Sequence, residues 1–260
     1  GKNVRWVAYV CSGTIISDNT PNISMVITAA HCVYDDASKK FARNAIFIPN
    51  QDRSSMNTDY DCTNDITGCW SLSFGAVAKK FSDVEFPENI SYDYAYYVVD
   101  DDGAHTGNDF GCDNDALDCL GDIEADFENP TAMKFDTDRI HAVGYPYDQD
   151  PNFMFCSDIV SLDIDTSVTP SESYPWVANC EMTGGSSGGA WIKNVEDDNP
   201  KIVSVNSWGF VSSPGMSGPR LGTPAQCVFN IAMQKKIGEM QTAEDGYEGI
   251  VVDVDNSCTD

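Results

Sequence analysis

Gly184-Gly185-Ser186-Ser187-Gly188-Gly189-Ala190-Trp191-Ile192 runs from a glycine- and serine-rich turn straight into an apolar stretch. Glycines on both sides of two serines allow a tight turn that aims backbone N–H groups at one point. The same composition occurs in flexible linkers. Here, however, the segment lies between Ala178-Asn179-Cys180 and Ala190-Trp191-Ile192, the setting of a turn between core strands. A serine hydroxyl becomes a nucleophile at neutral pH when a histidine accepts its proton, a carboxylate orients that histidine, and N–H donors receive the oxyanion. The chain holds three histidines, His31, His105 and His141. His105 lies in an acidic, Gly-containing loop, and His141 begins an apolar run before Gly144-Tyr145-Pro146. His31 sits in Thr28-Ala29-Ala30-His31-Cys32, at the end of such a run. Among the acids, Asp93 opens Tyr94-Ala95-Tyr96-Tyr97-Val98-Val99. Asp83, Asp100, Asp101 and Asp102 compete with it, the last three reading as a solvated turn.

Outward from these segments, short apolar runs dominate, over 4–10, 14–16, 25–30, 45–48, 95–99, 140–143, 190–192 and 202–205. They are rich in Val, Ile and aromatics and bounded by Gly, Pro, Asn and Asp, the punctuation of an all-β protein. One helix is expected over 230–240, where Ile231, Met233, Ile237 and Met240 form an imperfect stripe with Lys235 and Lys236 outside it. The 260 residues are enough for a sizeable core. No apolar run approaches the ~18 residues of a membrane-spanning helix. A start at Gly1 without a signal-peptide pattern reads as a mature or trimmed chain.

Ten cysteines, an even count without a C-x-x-C pair, read as five disulfides made in an oxidising compartment, hence a secreted protein. Asn22-Ile23-Ser24 and Asn89-Ile90-Ser91 are glycosylation sequons. The net charge of −26 argues against nucleic-acid and anionic-membrane partners, whose phosphates it would repel. Asp59, Asp61, Thr63 and Asp65 alternate like the start of a calcium loop. The glycine is displaced and Trp70 stands where the closing Glu belongs, so the match is incomplete.

The order His31, Asp93, Ser187, with Thr28-Ala29-Ala30-His31-Cys32 and Gly185-Ser186-Ser187-Gly188-Gly189, resembles the chymotrypsin-like (trypsin-like) serine proteases over 4–240. The resemblance implies two six-stranded antiparallel β-barrels with the active site between them and a C-terminal helix. It divides one peptidase domain, 1–260, into a first barrel (1–105), an acidic crossing segment (106–138), a second barrel with the helix (139–240) and an acidic tail (241–260). It implies His31 as general base and Asp93 as its orienting acid. Ser187 rather than Ser186 becomes the nucleophile, because the motif's serine precedes two glycines, and the N–H groups of Gly185 and Ser187 form the oxyanion hole. Ser207-Trp208-Gly209 matches the family strand whose backbone pairs with an extended substrate. Glu181, six residues before Ser187, falls where trypsin-like members hold the acid of the primary pocket, which would favour Arg or Lys. Glutamyl-specific relatives also carry an acid at this spacing, but use a histidine near the Ser-Trp-Gly strand, where this chain reads Val205-Asn206-Ser207. Apolar specificity stays open as well. Ser186 stands where animal digestive members have an aspartate that pairs with a liberated N-terminus. A serine cannot make that pair, so the chain is closer to bacterial and fungal members, including glutamyl-endopeptidase-like ones, a branch that Gly144-Tyr145-Pro146 also fits. In the family a pair such as Cys11–Cys32 is bridged beside the histidine. Cys156–Cys180 is placed on strands flanking the loop before Ser187, Cys62–Cys69 and Cys112–Cys119 close local loops, and Cys227–Cys258 remains to tie the tail.

These readings lead to a secreted, monomeric serine endopeptidase that needs no cofactor or metal, takes polypeptide substrates and binds protein protease inhibitors. A glutamyl-specific enzyme and a protease-fold binding protein without activity are the alternatives; retention of His31, Asp93 and Ser187 opposes the second. The G-x-S-x-G elbow of α/β-hydrolases is met superficially, but those enzymes run Ser, Asp, His and need alternating helices. An unperturbed imidazole places the rise of activity at roughly pH 6–7.

Overall fold

The run that follows Asp93 becomes the strand Ala95–Asp100, central in a five-stranded sheet ordered Thr14–Ile16, Ile23–Thr28, Ala95–Asp100, Phe74–Ala78, Gly249–Val252. Alternation sends Tyr94, Tyr96 and Val98 to one face and Ala95, Tyr97 and Val99 to the other, and both faces are buried. Burial on both sides is why this stretch reads as an unbroken apolar run. The Tyr96 face packs on the helix Thr223–Met233, with the Tyr96 and Phe229 rings 5.3 Å apart. The Tyr97 face closes over Val33, Tyr34, Phe41, Trp70 and Phe81. The computed structural model describes residues 7–21, 23–51, 68–100, 105, 117–128, 131–149, 152–163, 173–210, 213–234 and 249–258.

A second five-stranded sheet is ordered Met154–Ile159, Arg139–Gly144, Ala190–Lys193, Lys201–Val205, Glu124–Ala125. A three-stranded sheet, Ser161–Asp163, Tyr174–Val177 and Met216–Ser217, shares its core. Ile140, Ala142, Val160, Val177, Trp191, Val203 and Met216 form that core, and the disulfide Cys156–Cys180 ties the two sheets together. The protein is thus all-β with a helix toward its C-terminus, as expected. The architecture is consistent with the expected two-barrel fold, although the barrels do not close among the described residues, whose strands form sheets of five, five, three, two and two.

Three further expectations change. Residues 7–10 form no strand. The helix starts earlier than 230, at Thr223, with Pro224 in its first turn, where a missing N–H costs nothing. Its buried stripe is Ala225, Val228, Phe229 and Ala232, and residues 235–240 lie outside the described residues. The end of the chain is not only a solvated acidic tail: Gly249–Val252 pairs in parallel with Phe74–Ala78, burying Ile250 and Val252. Cys227–Cys258 fastens this end to the helix, with Cα atoms 5.8 Å apart. Cys69 and Cys119 are disulfide-bonded; Cys62 and Cys112, their expected partners, lie outside the described residues. So do Asn22 and the acidic run of the calcium-loop match, while Trp70 is a buried core residue stacked on His105, with centroids 4.1 Å apart. Asn89 is 2% exposed and its amide donates to Asp36 Oδ2 at 2.6 Å, which leaves no exit for a glycan in the folded chain.

Candidate active site

Strand Ile23–Thr28 ends at Thr28, and a single 3-10 turn, Ala30–Cys32, carries His31 out into the cleft. Asp93 caps another 3-10 turn, Ile90–Tyr92, just before the strand Ala95–Asp100. Pairing of these two strands sets Thr28 opposite Ala95, so the residues beyond their ends meet. Asp93 Oδ2 lies 2.8 Å from His31 Nδ1, and Asp93 Oδ1 accepts the His31 backbone N–H at 2.9 Å. The disulfide Cys11–Cys32 adjoins the histidine, with Cα atoms 6.1 Å apart. Although Cys11, His31 and Cys32 cluster closely, the two sulfurs are bonded to each other and cannot serve as thiolate ligands for a metal.

Ser187 comes to this place on the glycine-rich turn. Its carbonyl oxygen accepts the Ser12 N–H at 2.7 Å and lies 3.7 Å from Cys32 Sγ. No hydrogen bond runs from Ser187 Oγ to His31 Nε2 among the described residues; nucleophile–base contacts commonly tighten only with substrate bound. Gly185 and Gly188 have φ of +101° and +85°. A Cβ on Gly188 would sit 2.1 Å from Thr28 Oγ1, so only glycine lets the turn approach the His31 segment. The N–H groups of Gly185 and Ser187 donate to no described residue. Ser186 is 1% exposed and its hydroxyl donates to the Thr183 carbonyl at 2.7 Å.

A cavity of about 580 Å³ opens beside Ser187, lined by Glu181, Met182, Ser207, Trp208, Phe210 and Met216 among others. Glu181 is exposed on its wall. Trp208 stands 5.1 Å from Phe210 and 5.8 Å from Trp176, ring to ring, giving the cavity an aromatic side. The Trp208 backbone is tied to Ser217 in both directions, but the Ser207 carbonyl and the Gly209 backbone groups have no partner among the described residues.

No protein-family model and no curated protein sequence matches the chain. Solved structures do. A thermostable serine protease, AL20, from an extremophilic microorganism superposes with a TM-score of 0.65 at 25% identity, over 88% of this chain and 92% of that one. Protease Anisep from Arthrobacter nicotinovorans gives 0.65 at 26% identity, over 87% and 90%. A Glu endopeptidase in complex with MPD shares the fold at 0.61 and 18% identity, over 87% and 89%. The chain is thus similar in structure to chymotrypsin-fold serine proteases, hydrolases that act on peptide bonds.

Sequence reasoning missed one member of this site. The Ser207 hydroxyl donates to Asp93 Oδ2, from the opposite sheet. The Ser-Trp-Gly match points only to the backbone of this strand, and nothing in the local pattern marks the hydroxyl. Burial is the strongest influence on Asp93 and opposes its charge. His31, through its charge and two hydrogen bonds, and the Ser207 hydroxyl together outweigh it and hold the carboxyl below its ordinary range. For His31, burial works against protonation, but Asp93 and, more weakly, Asp36 leave the imidazole above its ordinary 6.5.

The direction of that shift revises the expected pH profile. A general base must be neutral, and a raised pKa means the neutral form is lost sooner as pH falls. The acid limb of kcat/KM on an uncharged peptide substrate is therefore expected to have its midpoint above 6.5. At about 1 M salt, where the screening length is about 3 Å, the midpoint should fall as the Asp36 contribution is screened. A midpoint at or below 6.5 in low salt contradicts this placement of Asp93 and Asp36 around His31.

Proposed function

We propose that this chain is a secreted serine endopeptidase in which Ser187 attacks the peptide carbonyl, His31 carries the proton and Asp93 orients His31. The observation that carries the reading is the 2.8 Å contact between His31 Nδ1 and Asp93 Oδ2 in the same cleft as the partly exposed Ser187. With Nδ1–H held by Asp93, the lone pair of Nε2 is free to accept the Ser187 proton. That proton passes to the leaving amine as the acyl-enzyme forms, and water, deprotonated by the same nitrogen, then releases the acid. The oxyanion of each tetrahedral intermediate is received by the N–H groups of Gly185 and Ser187. The cycle draws only on groups of the chain itself and so calls for no cofactor. The free Ser207 carbonyl and Gly209 backbone offer an edge for an extended substrate to join as a strand. Three disulfides among the described residues, and no described helix long and apolar enough to cross a membrane, support secretion.

For specificity, the reading is a basic residue before the scissile bond. Glu181 supplies a carboxylate on the wall of this cavity of about 580 Å³, and Met182, Trp208 and Met216 offer apolar surface to an arginine stem. The net charge of −26 further steers cationic substrates. A glutamate side chain would instead meet Glu181 with no histidine, lysine or arginine among the cavity's described lining residues. On matched peptides with Arg, Glu or Phe before the cleaved bond, Arg is expected to be fastest. Glu181→Gln should lower kcat/KM for the Arg peptide about ten- to a hundredfold, the value of one charged hydrogen bond at ~1.5–3 kcal/mol. A faster Phe or Glu peptide, or an Arg preference that survives Glu181→Gln, removes this assignment.

A further inference from the structure

The direction of a backbone N–H is set by the carbonyl that shares its peptide plane, because a trans peptide points the two in opposite directions. The Gly185 N–H is therefore aimed by the Gly184 carbonyl, and the Ser187 N–H by the Ser186 carbonyl. The Gly184 carbonyl accepts the Tyr147 N–H at 2.8 Å. The Ser186 carbonyl accepts Asn206 Nδ2 at 2.9 Å and the Gly189 N–H at 3.0 Å. Between them, the Gly185 carbonyl accepts the Ser12 hydroxyl at 2.9 Å, whose oxygen in turn accepts the Tyr145 N–H at 2.8 Å. Every anchor is electrically neutral.

Asn206 is fully buried, and each of its polar groups is satisfied. Its Oδ1 accepts the indole N–H of Trp191 at 2.8 Å. Since an indole nitrogen only donates, this contact fixes which end of the amide is oxygen and turns the NH2 toward the Ser186 and Val143 carbonyls, at 2.9 and 2.8 Å. The Asn206 backbone holds the other end of the turn, accepting from Gly188 N–H at 2.7 Å and donating to Gly189 at 2.8 Å.

We infer that Asn206 is a positioning residue that holds the oxyanion hole open, through the Ser186 carbonyl, without an ion pair. It occupies the role that the buried Ser186 hydroxyl, bonded to Thr183, does not fill. The next residue, Ser207, steadies Asp93, so two adjacent side chains organise the nucleophile turn and the acid. This inference rests on the peptidase reading and adds a part to it.

Asn206→Ala, made in the full chain, is expected to lower kcat about 10²–10³-fold, the usual loss for one oxyanion donor, with KM changed less than about threefold. Inhibition by a peptidyl trifluoromethyl ketone should weaken by the same factor as kcat/KM, because its hemiketal oxyanion needs the same donors. The acid-limb midpoint should not move, since His31 and Asp93 are untouched. If Asn206→Ala yields no folded protein, Asn206→Thr, which keeps one donor, is expected to lose about tenfold in kcat with the same pattern. A folded variant with wild-type kcat and ketone affinity, or one whose loss lies in KM alone, overturns the inference. Failure of the wild-type chain to hydrolyse peptides or react with a fluorophosphonate overturns the peptidase reading instead.

Discussion

Ser187→Ala is expected to lower kcat by about 10⁶-fold and to abolish reaction with a fluorophosphonate. The size follows from the way the parts act together: without the hydroxyl, His31 has nothing to activate, and only binding and the oxyanion donors remain. The wild-type chain should take up one fluorophosphonate, and peptide mapping should place it on Ser187. Ser186 makes the discriminating control. Its hydroxyl is buried and donates to the Thr183 carbonyl, so Ser186→Ala should still label and still cleave. A label on Ser186, or activity of Ser187→Ala within tenfold of wild type, would sink the assignment.

Asp93→Asn is expected to cost about 10⁴-fold in kcat while leaving the fold in place. The Asp93 carboxylate accepts three hydrogen bonds, from the His31 backbone N–H, His31 Nδ1 and the Ser207 hydroxyl. An amide can offer its oxygen on one side only. With oxygen kept toward the His31 N–H, the NH2 faces Nδ1, the imidazole proton moves to Nε2, and the nitrogen that should accept the Ser187 proton is occupied. Because the carboxyl is held below its ordinary 3.8, its charge stabilises the fold above that pH, and this contribution is lost as pH falls through the lowered value. Asp93→Asn should therefore also flatten the acid side of the stability curve. Equilibrium denaturation at several pH values, beside steady-state kinetics, measures both effects; a variant within tenfold of wild-type kcat would transfer the role to another acid.

The parts of this site that a linear reading reaches are those whose chemistry and conformation are written in neighbouring residues. The glycines around Ser187 are required by positive φ and by close approach within the turn itself, and that requirement is visible as Gly185-Ser186-Ser187-Gly188-Gly189. Asp93 stands out because it opens an apolar run that has no other reason to carry a charge. Cys11–Cys32 forms as the family resemblance implies, and Cys156–Cys180 and Cys227–Cys258 form as expected.

What escaped the linear reading depends on chain segments that meet only when the sheets pack. The Ser207 hydroxyl reaches Asp93 across 114 residues, and the Ser12 hydroxyl reaches the Gly185 carbonyl across 173. Asn206 looks like an ordinary polar residue at a strand end until Trp191, Val143 and Ser186 close around it. The strand Gly249–Val252 is hidden in an acidic tail because its partner, Phe74–Ala78, lies far away in the chain and a single short strand has no stability of its own. The helix boundary slipped by seven residues for a related reason: Ala225, Val228 and Phe229 owe their helical register to the sheet face they cover. The amino-acid sequence by itself singled out the proposed reacting groups and determined the all-β character, because turns, alternation and nucleophile motifs act over a few residues. Tertiary structure decided how those groups are aimed, because a carbonyl, a hydroxyl and an amide acquire direction only from the distant partners that packing brings to them.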